Sequence, residues 1–153
     1  MCPLEVDPVL PVALGIWALV LAVDDIRHHR VLNVALVPVA AFALAARVSG
    51  GWPGCDLSLW SGLAGAAIGL AFWLPGYLLK RSGAGDVKCA MVMGLVLGGT
   101  RALEANLIGF IALGLLALIA MLAGRRNSRI AAVPALATGF IAALAGGPWL
   151  LGA

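Results

Sequence analysis

The chain has 153 residues, of which 63% are hydrophobic and 11% charged, whereas an ordinary soluble domain carries about 25% charged residues. Ten basic and seven acidic side chains are too few to coat a soluble globule of this size, which excludes a soluble enzyme, a disordered tail and a coiled coil and leaves an integral membrane protein. The length suits one domain rather than two, so residues 1–153 are read as one polytopic membrane domain.

Six uncharged apolar stretches follow one another at 8–23, 31–46, 57–79, 89–100, 105–124 and 130–153. Ahead of the first, Glu5 and Asp7 stand where a secretory signal would carry Lys or Arg, so no signal peptide is expected. The third, fifth and sixth are long enough to cross a bilayer directly. The first and second must take in polar flanks to do so, which draws Asp24 and Asp25 into the last turn of the first helix. The fourth is the shortest and decides the topology. If all six cross, Arg27, Arg30, Lys80, Arg81, Lys88, Arg125, Arg126 and Arg129 fall on one side, with only Arg47 and Arg101 on the other. Such a bias marks the first side as cytoplasmic. A fourth segment that turned back would carry the loop of Arg125, Arg126 and Arg129 outward and erase most of that bias. It is therefore expected to span, as a helix over 86–103 about 27 Å long at 1.5 Å per residue, with Asp86 and Lys88 in its first turn. The expected fold is all-α, with six transmembrane helices and both termini outside.

Smaller signals agree. Trp52, Trp60 and Trp149 fall near the outer interface, where indole rings are favoured. Gly62, Gly65 and Gly69 line one face of the third helix, a pattern that permits close helix packing. Cys2, Cys55 and Cys89 are isolated and His28 and His29 are adjacent, so no metal site and no cofactor is expected. Cys2 and Cys55 fall on the outer side, where an oxidising compartment permits a disulfide between them.

The acids sort by side as the bases do. Glu5, Asp7, Asp56 and Glu104 belong to outer termini and loops, whereas Asp24, Asp25 and Asp86 collect at the cytoplasmic boundary, on helices far apart in sequence. Carboxylates at membrane depth are costly and tend to mark function. The plainer reading is that they are solvated acids balancing Arg27, Arg30 and Lys88. Two carboxylates that share one proton supply a general base for water and an acid for a scissile carbonyl. They hydrolyse a peptide bond with neither metal nor nucleophile, and no Ser–His–Asp arrangement competes with them. Position alone leaves Asp24 and Asp25 equal candidates for the first partner.

Ser82–Gly83–Ala84–Gly85–Asp86–Val87–Lys88 is the most informative segment. Its small residues let the backbone unwind and approach another chain, and Asp86 opens the fourth helix, where the dipole favours its charged form. Lys88 lies about 200° around an ideal helix from Asp86. It is not expected to pair with Asp86 and is read as a headgroup- or substrate-orienting residue. Pro134, placed within the cytoplasmic end of the sixth helix, cannot donate to the carbonyl of Ile130, which leaves that acceptor for an extended chain. A proline at a helix start is the plainer alternative.

Three elements together resemble the type IV prepilin peptidases. Asp25–Ile26–Arg27–His28–His29–Arg30–Val31–Leu32–Asn33 resembles the family's D-x-R-x-x-x-I-P-N element. Gly83–Ala84–Gly85–Asp86–Val87–Lys88 matches its G-x-G-D-x-K element. Pro134–Ala135–Leu136–Ala137–Thr138–Gly139 resembles its P-A-L-A-L-G element and the P-A-L of presenilin-type G-x-G-D proteases. They run over residues 25–139 in the family's order. The resemblance implies a multi-pass aspartyl endopeptidase of the bacterial inner membrane that removes the basic leader of prepilin-like precursors at the cytoplasmic face. It implies Asp25 and Asp86 as the catalytic pair. It also implies a binding surface for the extended cleavage segment at Gly83, Gly85 and Pro134, with Lys88 and Asp24 at its edge. Size and the lack of C-x-x-C pairs look like the short, peptidase-only branch that serves tight-adherence (Flp) pili. Leu32 replaces the family's usual proline, and a proline often found near Ala131 is missing. The partners implied are the precursor and the lipid bilayer, with no nucleic acid. The rival readings are a non-enzymatic assembly or scaffold subunit of a pilus or secretion apparatus, a proton-linked carrier, which would place its carboxylates nearer the midplane, and an intramembrane protease for other substrates.

Overall fold

The computed structural model describes residues 9–28, 33–49, 58–80, 82–124 and 132–146. They form α1 (Val9–His28), α2 (Asn33–Val48), α3 (Leu59–Leu78), α4 (Ala84–Leu97), α5 (Gly99–Leu122) and α6 (Val133–Gly146). Three of these, α1, α3 and α5, are long and apolar enough to cross a membrane, while α2 and α6 are shorter apolar helices.

The apolar composition decides what is buried against what. Side chains such as Val12, Ile16, Leu19, Val20 and Leu118 are exposed, as suits helices whose outer faces meet lipid rather than water. Lipid tails give apolar side chains no drive to pack together, so the interior depends on close backbone approach. The glycines of α3 supply it. Gly65 meets the backbone of Gly94, and Gly69 meets that of Ala90, so α3 and α4 run antiparallel in direct contact. A second interface of the same kind joins α5 to α6, where Gly139 lies on the backbone of Ala105 and Gly109 on that of Ala135. The sequence pattern in α3 thus finds its use, while its counterparts Gly94 and Gly109 went unremarked in sequence and Gly139 was noted only as the end of a motif.

Helix α4 is the interior element. Val87, Cys89, Ala90, Met93, Gly94, Leu95, Val96 and Leu97 are all buried. Helix α1 packs on α6, with Trp17 edge-on to Phe140 at 6.2 Å between ring centroids. The Trp17 indole also donates to the carbonyl of Ala35 on α2 at 2.9 Å. Helix α2 packs on α4 and α3.

Two boundaries differ from expectation. The fourth helix does not run over 86–103. It ends at Leu97, Gly98 turns the chain with φ 82°, and α5 begins at Gly99. Gly98 donates to the carbonyl of Gly94 and accepts from Ala102, so one residue closes α4 and opens α5. A positive φ suits glycine there. Charge had been taken as the sign of a loop, and here it is not. Glu104 lies within α5 at 1% exposure, and Arg47 lies within α2 at 6%. Arg47 donates to the carbonyls of Ser58 at 3.2 Å and Val96 at 3.1 Å, and its side chain lies where a Cβ on Gly62 would fall. It satisfies an otherwise orphaned carbonyl in the last turn of α4, and so fastens α2, α3 and α4 at the end of the bundle remote from Asp86. Trp60 is exposed at that same end. Cys2, Cys55, Trp52, Trp149, Arg30, Arg81, Arg125, Arg126 and Arg129 lie outside the described residues.

Candidate functional site

Asp25 sits in the last turn of α1, where the length of the first apolar stretch requires it, and is 5% exposed. Its Oδ2 accepts a hydrogen bond from the backbone N–H of Val133 at 3.2 Å. Val133 is the first residue of α6. The carboxylate therefore meets the positive end of that helix's dipole and takes up one of its orphaned amides.

Asp86 is the third residue of α4 and is 9% exposed. Its Oδ2 accepts from the Ser82 hydroxyl at 2.8 Å and from the Gly83 N–H at 2.9 Å. Gly83 is the residue before the helix, so Asp86 reaches back over the first turn. Cys89, fully buried one turn further along α4, lies within electrostatic range of both Asp86 and Asp25. Both carboxylates thus act electrostatically on Cys89, although α1 packs on α6 and α4 packs principally on α3.

The other expected residues are distributed around this pair. Lys88 is exposed and donates to the Asn33 side chain at 3.3 Å. Among the described residues it makes no bond to Asp86, as its angular position implied. Asp24 is bonded to His28 one turn away at 2.8 Å. It lies with Ile16, Leu19, Val20, Val23 and Arg27 along a shallow outward groove of α1. Gly85 is partly buried and Gly83 exposed at the start of α4.

Pro134 requires a correction. Helix α6 starts at Val133, so Pro134 is its second residue and removes no intrahelical bond. Ile130, whose carbonyl was to be freed, lies outside the described residues. What this segment brings to the neighbourhood is the N–H of Val133. Asn33 and Ser82 are the polar side chains that sequence reasoning passed over. Each stood inside a quoted motif, but neither carries a charge, and charge was the signal followed.

The contacts across the chain are the informative ones. Asp25 is joined to the start of α6 over 108 positions, and Asn33, which closes the same sequence element as Asp25, is joined to Lys88 over 55. The first element is thereby bonded to the second and to the residue immediately before the third. A sequence model of the type IV leader peptidase family matches residues 12–151. The chain belongs to that family. Neither a curated protein nor a solved structure gives a significant match. As a type IV leader peptidase family member with membrane-spanning helices, it is a peptidase and a membrane protein.

Proposed function

We propose that this family member is an aspartyl endopeptidase of the bacterial inner membrane, with Asp25 and Asp86 as its catalytic pair, that removes the basic leader from prepilin-like precursors of the Flp type at the cytoplasmic face. The observation that carries the reading is the bonding of the first motif element to the second, Asn33 to Lys88, and to the start of α6 beside the third, Asp25 to Val133, with Asp25 and Asp86 both nearly buried. In the proposed reaction one carboxylate takes a proton from water as its oxygen bonds to the scissile carbonyl carbon. The other donates its proton to the carbonyl oxygen. Collapse of the tetrahedral intermediate breaks the C–N bond and returns a proton to the leaving nitrogen. The proposed topology has six crossings with both ends outside. This reading is supported by the sequence, in which eight of the ten Lys and Arg fall on the same side as Asp25 and Asp86 when all six segments cross. The precursor's basic leader would meet Asp24 at that face, and its extended cleavage segment would run past Gly83, Gly85 and the start of α6 at Pro134, with Lys88 at the edge.

The test is co-expression with the prepilin-like precursors encoded in the same genome, read as leader removal on a gel. Asp25→Asn and Asp86→Asn are each expected to abolish processing while still inserting into the membrane, and Asp24→Asn to retain it. Normal processing by both of the first two variants, or none by the unaltered protein with any precursor, refutes the proposal.

A further inference from the structure

The link between α3 and α4 is bound back onto α3. Lys80 takes a left-handed conformation at φ 55°, and the N–H of Ser82 then donates to the carbonyl of Gly76 at 3.1 Å. Ser82 packs so closely there that a Cβ on Gly76 would lie 3.3 Å from its own Cβ. The residue before α4 is Gly83, which has no side chain to cap the helix. Ser82, one position further back, donates its hydroxyl to Oδ2 of Asp86 at 2.8 Å. Gly83 N–H binds the same oxygen. Among the described residues no hydrogen bond reaches Oδ1 of Asp86.

We propose that Ser82 is a positioning residue for Asp86: its hydroxyl, anchored to α3 through Gly76, holds Oδ2 and leaves Oδ1 as the oxygen presented to the reacting water or scissile carbonyl. A backbone amide alone fixes one point of the carboxylate, whereas two donors on one oxygen, from different directions, fix its rotation. A carboxylate free to turn offers the reacting group the right geometry for only part of the time, and small misplacements of a catalytic group carry large penalties in rate. Ser82 touches neither water nor peptide in this scheme. It acts through Asp86, so it should alter turnover rather than substrate binding.

This inference rests on the peptidase reading, and the experiment separates the two. Purified enzyme in detergent is assayed on a precursor for kcat and KM, with Ser82→Ala, Ser82→Thr and Asp86→Asn compared against the unaltered protein. Rates are normalised to the folded fraction measured by size-exclusion chromatography after heating. Losing one charge-assisted hydrogen bond is expected to lower kcat roughly tenfold in Ser82→Ala, with KM within about twofold of its original value, and Ser82→Thr to recover most of the loss. Unchanged kcat in Ser82→Ala overturns the proposal. So does an effect confined to KM, a kcat loss that vanishes on normalisation, or a Ser82→Thr enzyme as slow as the alanine variant. Full activity in Asp86→Asn instead overturns the assignment of Asp86 to the catalytic pair on which the inference rests, whatever Ser82 does.

Discussion

Replacing Gly65 by alanine tests whether backbone contact between α3 and α4 holds the bundle together. A Cβ built at Gly65 collides with the carbonyl oxygen of Gly94 and lies 2.9 Å from the carbonyl carbons of Gly94 and Gly98. Comfortable carbon–carbon contacts begin near 3.5 Å, so the helices must part by roughly 0.5–1 Å. Neither partner atom belongs to a side chain that can swing aside. A gap of that size forfeits about a quarter to a half of each dispersion contact across the interface, and overpacking of this kind costs about 1–3 kcal/mol. For a chain of this length that is a fall in Tm of roughly 3–10 °C. Gly15 and Gly114 are the controls, because nothing lies within 4 Å of a Cβ at either position. There alanine should be neutral, or stabilising by up to about 1 kcal/mol through helix propensity. The assay is the fraction of detergent-purified protein that stays monodisperse after heating. Gly65→Ala is also expected to slow precursor cleavage, because α4 carries Asp86. If Gly65→Ala melts no lower than Gly15→Ala, close backbone packing is not what holds α3 to α4.

Two further outcomes follow from the polar interior. Arg47→Met leaves the carbonyls of Ser58 and Val96 without the bonds they now accept, and is expected to cost about 2 kcal/mol, seen as a lower melting temperature in the same heating assay. Arg47→Lys should recover little, since one ammonium on a shorter stem cannot serve both carbonyls as the guanidinium fork does. Trp73→Phe removes the indole N–H that donates to Asn106 at 2.9 Å but keeps a ring to stack on Phe110, now 5.1 Å away between centroids. Thermal denaturation should register a loss of about 1 kcal/mol, while Phe110→Leu should remove the stacking and keep the hydrogen bond.

The helices could be read from the sequence because apolar length is a direct demand of the bilayer, and α2 and α3 lie within two residues of the apolar stretches that announced them. The boundary between α4 and α5 was missed. Arg101 and Glu104 looked like a loop, since charges in lipid are costly. A charge enclosed by protein can be compensated there by hydrogen bonds, as Arg47 is, and neither the burial of Glu104 nor that of Arg47 leaves a mark on hydropathy. Asp24, Asp25 and Asp86 stood out for the opposite reason, because acids are few, and it was the resemblance rather than position that singled out Asp25 and Asp86. Their donors were not legible. Val133 contributes only a backbone amide, which has no signature in a side-chain sequence, and Ser82 was hidden by the glycines beside it.

Gly98 is buried and joins α4 to α5 with no loop between them. Most connections between helices absorb insertions at the surface, but this one has no slack. One added or deleted residue would turn all of α5 by about 100° relative to α4, carrying Glu104 and Asn106 out of the interior and taking Gly109 off the face it presents to α6. Chain length between Leu97 and Gly99 is therefore a fixed quantity. An epitope, protease site or reporter for mapping this protein belongs in another connection.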